Sequence, residues 1–382
     1  GPVRRVVHGD GEAHAGRPAR MTRLRQRIVE LISALGPIPV SEYMALALSD
    51  PRGGYYTTRE PFGIDGDFTT APEISQMFGE LIAVWLYEAW RTLGKPMPAT
   101  VAEIGPGRGT LMKDMLRTLA RLDPAFVGGA AFAMIETSPR LTGIQKSTLA
   151  DAPAIPEWHE SLDTLPKAPL FIVGNELFDA IPIRQYTRTA KGWRERMVGL
   201  DDNDELAFFA GAASLDPSLL PDGADEAPQG AVVELSPARS ALMANIAARI
   251  AGDGGCGLFI DYGYLQAGVG DTLQALRRHR YEDVLASPGE ADLTAHVDFS
   301  ALAAAARGHG LDVHATTQGA FLLDLGLLER AGQLGAKAGA GLRDKISGEV
   351  ERLAGPQEMG NLFKVMAILP AGVSIAPFHA AD

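Results

Sequence analysis

Read for the spacing of its apolar positions, the chain changes character near residue 99. Before that point the pattern is helical. Leu24, Ile28, Leu31, Ile32 and Leu35 recur three and four apart, and Gly36-Pro37 stops the run. Ser41 opens a second short helix through Leu48, and Asp50-Pro51-Arg52-Gly53-Gly54 is a turn. A long polar loop containing Asp67 and Glu73 follows, then a helix over residues 74–93. Beyond residue 99, short apolar runs alternate with helical ones. Strands are predicted over 100–104, 130–135, 156–159, 170–174, 257–260, 311–316 and 361–369. Helices are predicted over 111–122, 140–149, 236–251 and 300–307, the third opened by Ser236-Pro237. Such alternation predicts an α/β fold, a Rossmann-like parallel sheet with helices on both faces. Residues 185–200 and 205–211 read as hairpin strands around Ala190-Lys191-Gly192. Residues 321–353 read as helical in pieces, the first carrying Leu322, Leu325, Leu328 and Ala331 on one face.

The stretch Val101-Ala102-Glu103-Ile104-Gly105-Pro106-Gly107-Arg108-Gly109-Thr110-Leu111 is the centre of this pattern. An apolar strand runs into an acid, then into three glycines spaced two apart, then into a helix. Missing side chains at such a turn let a ligand lie against the backbone. The spacing is G-x-G-x-G, not the dinucleotide fingerprint G-x-G-x-x-G. Without a ligand it would be a glycine-rich αβ turn. Glu136, at the end of the second predicted strand, stands where a ribose diol is bound in doubly wound folds; a carboxylate accepts both hydroxyls at once. After the strand at 170–174 comes Asn175-Glu176-Leu177-Phe178-Asp179-Ala180-Ile181-Pro182, an acid cluster at the sheet edge where such folds place ligands. On one helical turn Glu176 and Asp179 would share a face, and two like charges held together call for a cation or a shared proton. The alternative makes Asp179 a helix cap and Glu176 a structural partner.

Composition narrows the function. The formal net charge of −12 opposes a general nucleic-acid footprint and leaves room for a cationic substrate. The most apolar helical stretch, residues 77–93, carries Glu80, Glu88 and Arg91, so no membrane insertion is expected. The single cysteine, Cys256, excludes an internal disulfide and reads as a buried inert thiol. No His-Glu-x-x-His pair, G-x-S-x-G elbow or Walker lysine occurs, and no metal site is expected. Residues 1–20 are basic without an apolar core, which is not a secretory signal; they read as a disordered or tag-derived extension before Met21.

An acid-ended strand, a bare glycine turn and Glu136 suit an adenosyl ligand without a pyrophosphate, and S-adenosylmethionine fits. The enzyme's work is then to align a nucleophile with the methyl group. A carboxylate-rich edge suits an amine or guanidinium acceptor.

Four stretches in order resemble the MidA family: residues 101–111, the loop 66–80, the run 175–182, and Asp292-Leu293-Thr294-Ala295-His296-Val297-Asp298-Phe299. The resemblance covers nearly everything from Met21 on. It implies a class I S-adenosylmethionine-dependent methyltransferase. It also implies a protein substrate, since the mitochondrial members dimethylate an arginine of a core complex I subunit and act in its assembly. On this resemblance Gly105, Gly107 and Gly109 form the cofactor turn and Glu136 holds the ribose; Glu103 and Asn175 are expected to hold the cofactor beside them. The loop 67–73 and the run 175–179 become active-site walls, where Glu176 and Asp179 are expected to hold the acceptor and Asp67 or Glu73 to close the site. The expected organisation is a helical cap and active-site loop over 21–98 and a methyltransferase domain over 99–382. Insertions are expected at about 185–235, 265–294 and 319–355. A bacterial cytoplasmic member is expected, or a matrix protein if the source is eukaryotic. Rival readings are a nicotinamide-dependent oxidoreductase and an assembly chaperone that binds the cofactor without turnover. A base-methylating enzyme is disfavoured, because Asn175-Glu176-Leu177-Phe178 replaces the Asn-Pro-Pro-aromatic motif. His296 reads either as a site residue or as a loop cap.

Overall fold

The structure is a computed structural model that describes residues 22–58, 70–278, 280–336 and 338–378. The expected extension at 1–20 and the candidate Asp67 lie outside the described residues.

Two helices open the chain, α1 (Arg23–Leu35) and α2 (Val40–Ser49), and a third, α3 (Gln76–Thr92), leads into the sheet. Then come β1 (Thr100–Ile104), α4 (Thr110–Leu122), β2 (Ala131–Ile135), α5 (Pro139–Thr148), β3 (Glu157–His159) and β4 (Leu170–Asn175). After a second sheet follow α6 (Pro237–Asp253), β5 (Gly255–Tyr264), α7 (Phe299–Arg307) and β6 (Leu311–Thr317). Three helices, α8 (Gln318–Asp324), α9 (Leu327–Gly335) and α10 (Ala340–Ala354), precede β7 (Phe363–Pro370).

The central sheet has the order β6-β7-β5-β4-β1-β2-β3, with Val297–Asp298 added beside the end of β5. The pairs β1–β2, β2–β3, β1–β4 and β4–β5 are parallel, and β7 is antiparallel to both neighbours. Alternation along the strands feeds two cores. Val101, Phe171, Val173, Leu258 and Ile260 pack with α3 and α4 on one face. Ala102, Ile104, Ile172 and Phe259 pack with α6 and α7 on the other. Strands buried on both faces are continuous apolar runs, which is why they were legible.

The helix starts are chemical. Ser75 accepts the Met77 N–H at the start of α3, and Ser236 accepts the Arg239 N–H at the start of α6, with Pro237 in the first turn. The expected continuous face over Leu322 to Ala331 is broken. Gly326 sits at φ +94 and divides α8 from α9, so Leu322 is buried while Leu328 is exposed. Helices α1 and α2 do not cover the central sheet. They share a core with Val198 and Leu206 of the second sheet, with Ile183 just before it, and with Ala275, Leu293 and Ala295. The second sheet is built from Ile38–Pro39, Gly192–Leu200, Arg184–Thr189 and Val232–Leu235, with Leu206–Ser214 beside Gly192–Leu200. Among the described residues no helix is long and apolar enough to cross a membrane.

Candidate active site

From β1 the chain runs outward to β2 and β3, then returns to β4 and β5 on the other side. The crevice therefore opens at the carboxyl ends of β1 and β4, where the order reverses. A cavity of about 690 Å³ lies there. Glu73, Glu103, Gly105, Gly107, Glu136, Asn175, Glu176 and Asp179 all line it. Gly109 does not line it, but caps α4 with φ +82. Ser49, Tyr56 and Thr57, from before the sheet, complete the wall.

The turn after β1 needs its glycines. Gly105, Gly107 and Gly109 all have positive φ, a region that other residues enter at a cost. A Cβ on Gly105 would also stand 2.8 Å from Leu177 Cδ1. Glu103 ends β1 and is buried at 3% exposure. Burial pushes its carboxyl up to about 8, partly offset by the Met112 backbone N–H. Its Oε2 has no hydrogen-bond partner among the described residues. A buried acceptor in that state is expensive unless a ligand meets it.

Glu136 follows β2, its own N–H bonded to the His159 carbonyl. Its Oε1 accepts the Ser138 N–H at 2.7 Å and its Oε2 accepts Gln145 Nε2 at 3.0 Å. The same Nε2 donates to the Gly107 carbonyl at 2.8 Å, while Trp158 Nε1 donates to Gln145 Oε1 at 2.9 Å. Gln145, on α5 and fully buried, therefore ties the acid after β2 to the turn after β1. Sequence reasoning passed over it, since a glutamine inside a helix carries no motif.

The acid cluster is not a helical turn. Asn175 is the last residue of β4, and Glu176 stands at φ +50, its N–H still bonded to Ile260 of β5. Such a backbone costs of order 1–3 kcal/mol in a residue other than glycine. Asp179 lies in the following turn, so strain and the sheet edge, not helix periodicity, bring both carboxyls to the cavity. Glu176 Oε1 accepts Asn175 Nδ2 at 3.2 Å and the Ala71 N–H at 3.4 Å. Burial and the charge of Asp179 push its carboxyl up to about 8. Asp179 is also pushed above the usual carboxylate range by burial, with the Tyr262 hydroxyl and Arg239 acting the other way. Tyr262 Oη donates to Asp179 Oδ2 at 2.6 Å. Asp179 Oδ1 and Asn175 Oδ1 have no partner among the described residues.

Behind the cluster, Asp261 accepts the N–H groups of Phe178 (2.9 Å), Asp179 (3.2 Å) and Tyr262 (2.9 Å). Buried Arg239 donates to the carbonyls of Asp179, Ile181, Ala295 and His296. These two hold the turn, and neither had been singled out. The signal was present: Asp261-Tyr262 closes the apolar run of a central strand, the edge where ligands bind. His296 belongs to this support. Its N–H donates to Thr272 Oγ1 at 2.9 Å, and its ring packs edge-on against Tyr262. Glu73, on the short helix Ala71–Ile74, accepts Thr110 Oγ1 at 2.5 Å, which fastens that helix to the start of α4. Among the described residues no cluster of His, Cys, Asp and Glu is arranged to hold a metal ion.

A family model for S-adenosyl-L-methionine-dependent methyltransferases matches residues 81–317. The mitochondrial protein arginine methyltransferase NDUFAF7 of Mus musculus is 35% identical, covering 92% of this chain and 85% of its own. The Drosophila melanogaster NDUFAF7 homolog, also named mitochondrial, is 33% identical over 97% of this chain and 89% of its own. A COG1565 superfamily member from Burkholderia thailandensis, solved bound to S-adenosyl-homocysteine, matches with a TM-score of 0.81 at 30% identity. That match covers 94% of this chain and 95% of the other. The chain belongs to the MidA family of S-adenosylmethionine-dependent methyltransferases. It is an enzyme, and its methyl donor is S-adenosylmethionine, which removes both the nicotinamide reading and a chaperone without turnover. The groups present fit that donor. Glu103, with a buried oxygen that has no partner among the described residues, a turn with glycines at positive φ, and Glu136 just past β2 all line one cavity.

Proposed function

We propose that this enzyme methylates an arginine of a protein substrate, a subunit of the NADH–quinone oxidoreductase, and so supports assembly of that complex. The observation that carries the reading is the pair Glu176 and Asp179, two desolvated carboxyls on the wall of the donor's own cavity, with Asp179 Oδ1 lacking a hydrogen-bond partner among the described residues. A guanidinium offers a planar fork of donors and a fixed positive charge, the complement of such a pair. The names of the relatives, protein arginine methyltransferases, support the same acceptor. The complex I subunit rests on the family resemblance.

When bound, S-adenosylmethionine supplies an electrophilic methyl group on a sulfonium. The chain's residues do the rest by binding and alignment. Glu136 accepts the ribose hydroxyls. Glu103, Asn175 and the backbone of Gly105 and Gly107 would receive the remainder of the donor, with Gly109 shaping the turn from outside the cavity. Glu176 and Asp179 clamp the guanidinium, and the Glu176 carboxyl, near 8 in the free enzyme, can hold the proton that the acceptor nitrogen releases. Glu73 closes the site through its bond to Thr110. Asp67, a second candidate for closure, lies outside the described residues. The reading puts the enzyme where that complex is built, the cytoplasm of a bacterium or the matrix of a mitochondrion.

The test uses NADH–quinone oxidoreductase purified from cells lacking this enzyme. With the wild-type protein and labelled S-adenosylmethionine, mass spectrometry should find methylarginine in one subunit. Label confined to lysine, to nucleic acid or to small amines would overturn the reading. A smaller effect is expected at Gln145. Gln145→Leu leaves Glu136 and the Gly107 carbonyl each short of a donor. S-adenosylhomocysteine binding measured by calorimetry should weaken about tenfold, the scale of one lost hydrogen bond to a charged group.

A further inference from the structure

Two tyrosines reach the acid cluster from distant parts of the chain, and one short strand holds both. In the strand Asp292–Thr294, residues two apart share a face. Asp292 Oδ1 accepts Tyr56 Oη at 3.0 Å. Thr294 stands beside the Tyr262 hydroxyl and acts against the upward push that burial gives it, and Tyr262 Oη donates to Asp179 Oδ2 at 2.6 Å. Upstream, Gln274 Nε2 donates to Thr294 Oγ1 at 3.3 Å from the cross-strand position. An amide N–H can only donate and a carboxylate only accepts, so Gln274 donates to Thr294 and Tyr262 donates to Asp179, with the Thr294 side chain set beside the Tyr262 hydroxyl.

The rest of Asp179 is fixed as well. Its N–H donates to Asp261 Oδ2, and its carbonyl accepts Arg239 Nη2 at 2.9 Å and the Ala295 N–H at 3.1 Å. Oδ1 is buried and has no hydrogen-bond partner among the described residues, and Asp179 lines the cavity.

We propose that Tyr262, oriented by Thr294 and Gln274, is a positioning residue for the methyl acceptor: it engages one oxygen of Asp179 so that the other faces the guanidinium. This rests on the reading of Asp179 as an acceptor ligand. It also gives the Asp292-Leu293-Thr294 motif a use, which is to bring the end of β5 and the segment around Tyr56 to one acceptor site. The charged and titratable groups around Asp179 are Glu176, Asp261, Arg239, Tyr56 and Tyr262. Of these, Tyr262 and Arg239 favour its ionised form.

The Tyr262 ring packs edge-on against His296 and Phe363, with centroids 5.5 Å and 5.4 Å away. Tyr262→Phe therefore keeps the packing and removes one hydroxyl. Kinetics are measured on unmethylated NADH–quinone oxidoreductase at saturating S-adenosylmethionine, with Asp179→Asn, Thr294→Val and Thr294→Ser alongside. For Tyr262→Phe the acceptor KM should rise about tenfold. Its S-adenosylhomocysteine affinity should stay as in the wild type, and the acidic limb of kcat/KM should move to higher pH. Thr294→Val should move the same quantities less far, and Thr294→Ser should restore them. If Asp179→Asn raises KM while Tyr262→Phe changes neither KM nor the acidic limb, the positioning role is overturned. If Tyr262→Phe lowers cofactor affinity, kcat and melting temperature together, the role is structural and the inference again fails. If Asp179→Asn leaves KM unchanged, the reading of Asp179 falls and takes the inference with it.

Discussion

Replacing Glu136 by Ala is expected to weaken S-adenosylhomocysteine binding about 100-fold, roughly 2.7 kcal/mol. A hydrogen bond to a charged acceptor contributes about 1.5–3 kcal/mol net, and a ribose diol would make two. The carboxylate is already aimed. Ser138 N–H and Gln145 Nε2 each take one lone pair of one oxygen, which leaves the remaining lone pairs in fixed directions. No reorganisation is then needed on binding, so most of the gross interaction survives as affinity. Glu136→Gln should lose nearly as much, because its NH₂ group would confront the Ser138 or Gln145 donor. Calorimetry on both variants checks this, and a change below about threefold would mean that the ribose is held elsewhere. Melting temperatures without ligand separate the effect from instability.

The architecture was legible because its signals were local. The strands Thr100–Ile104 and Leu170–Asn175 are apolar runs buried on both faces. The turn between β1 and α4 announced itself because only glycine tolerates three positive φ values so close together. The cavity walls were legible for the same reason: Glu103, Glu136 and Asn175-Glu176 stand at or just past the ends of strands, and strand ends on one edge converge whatever the loops do. The supporting layer was not legible. Gln145 meets Glu136 from the next helix, Arg239 reaches Asp179 from 60 residues away, and Tyr262 bonds Asp179 across 83 residues. Each is an ordinary residue in its own segment, and only the closed sheet gives it a partner. The helical spacing assigned to Glu176 and Asp179 failed for a related reason. The hydrogen bond from Glu176 N–H to Ile260 keeps the chain in the sheet one residue longer than the pattern suggests. Tertiary pairing there overrides local preference, and a residue other than glycine is forced to a positive φ.

Acceptor use is expected to rise with pH and to level off above about pH 8. In the free enzyme the Glu176 carboxyl stands near 8, raised first by burial and then by the charge of Asp179. At pH 7 the neutral form therefore predominates. A guanidinium, always charged in this range, binds the ionised pair, so binding releases a proton. Below pH 8 the acceptor KM should fall by up to about tenfold per pH unit as pH rises, and above it the curve should flatten. Glu103 also stands near 8, on the donor's side, so the measurement is made with S-adenosylmethionine saturating. Glu176→Gln should raise the acceptor KM about 100-fold at pH 8.5, the scale of a lost desolvated charge pair, and should reduce the limb to the part set by Asp179, whose carboxyl burial also raises. Folding stability carries the opposite sign. A carboxyl raised from 4.5 to about 8 in the folded state favours folding fully below 4.5, and that contribution is lost as pH rises through 8. The ligand-free enzyme should therefore melt at lower temperature as pH rises across that window, and Glu176→Gln should reduce the slope. The two trends share one cause. Burying Glu176 costs the empty enzyme stability when the group ionises, and a bound cation offsets that cost. An acceptor KM constant between about pH 6 and 8.5 would take Glu176 out of the acceptor site, whatever the stability curve did.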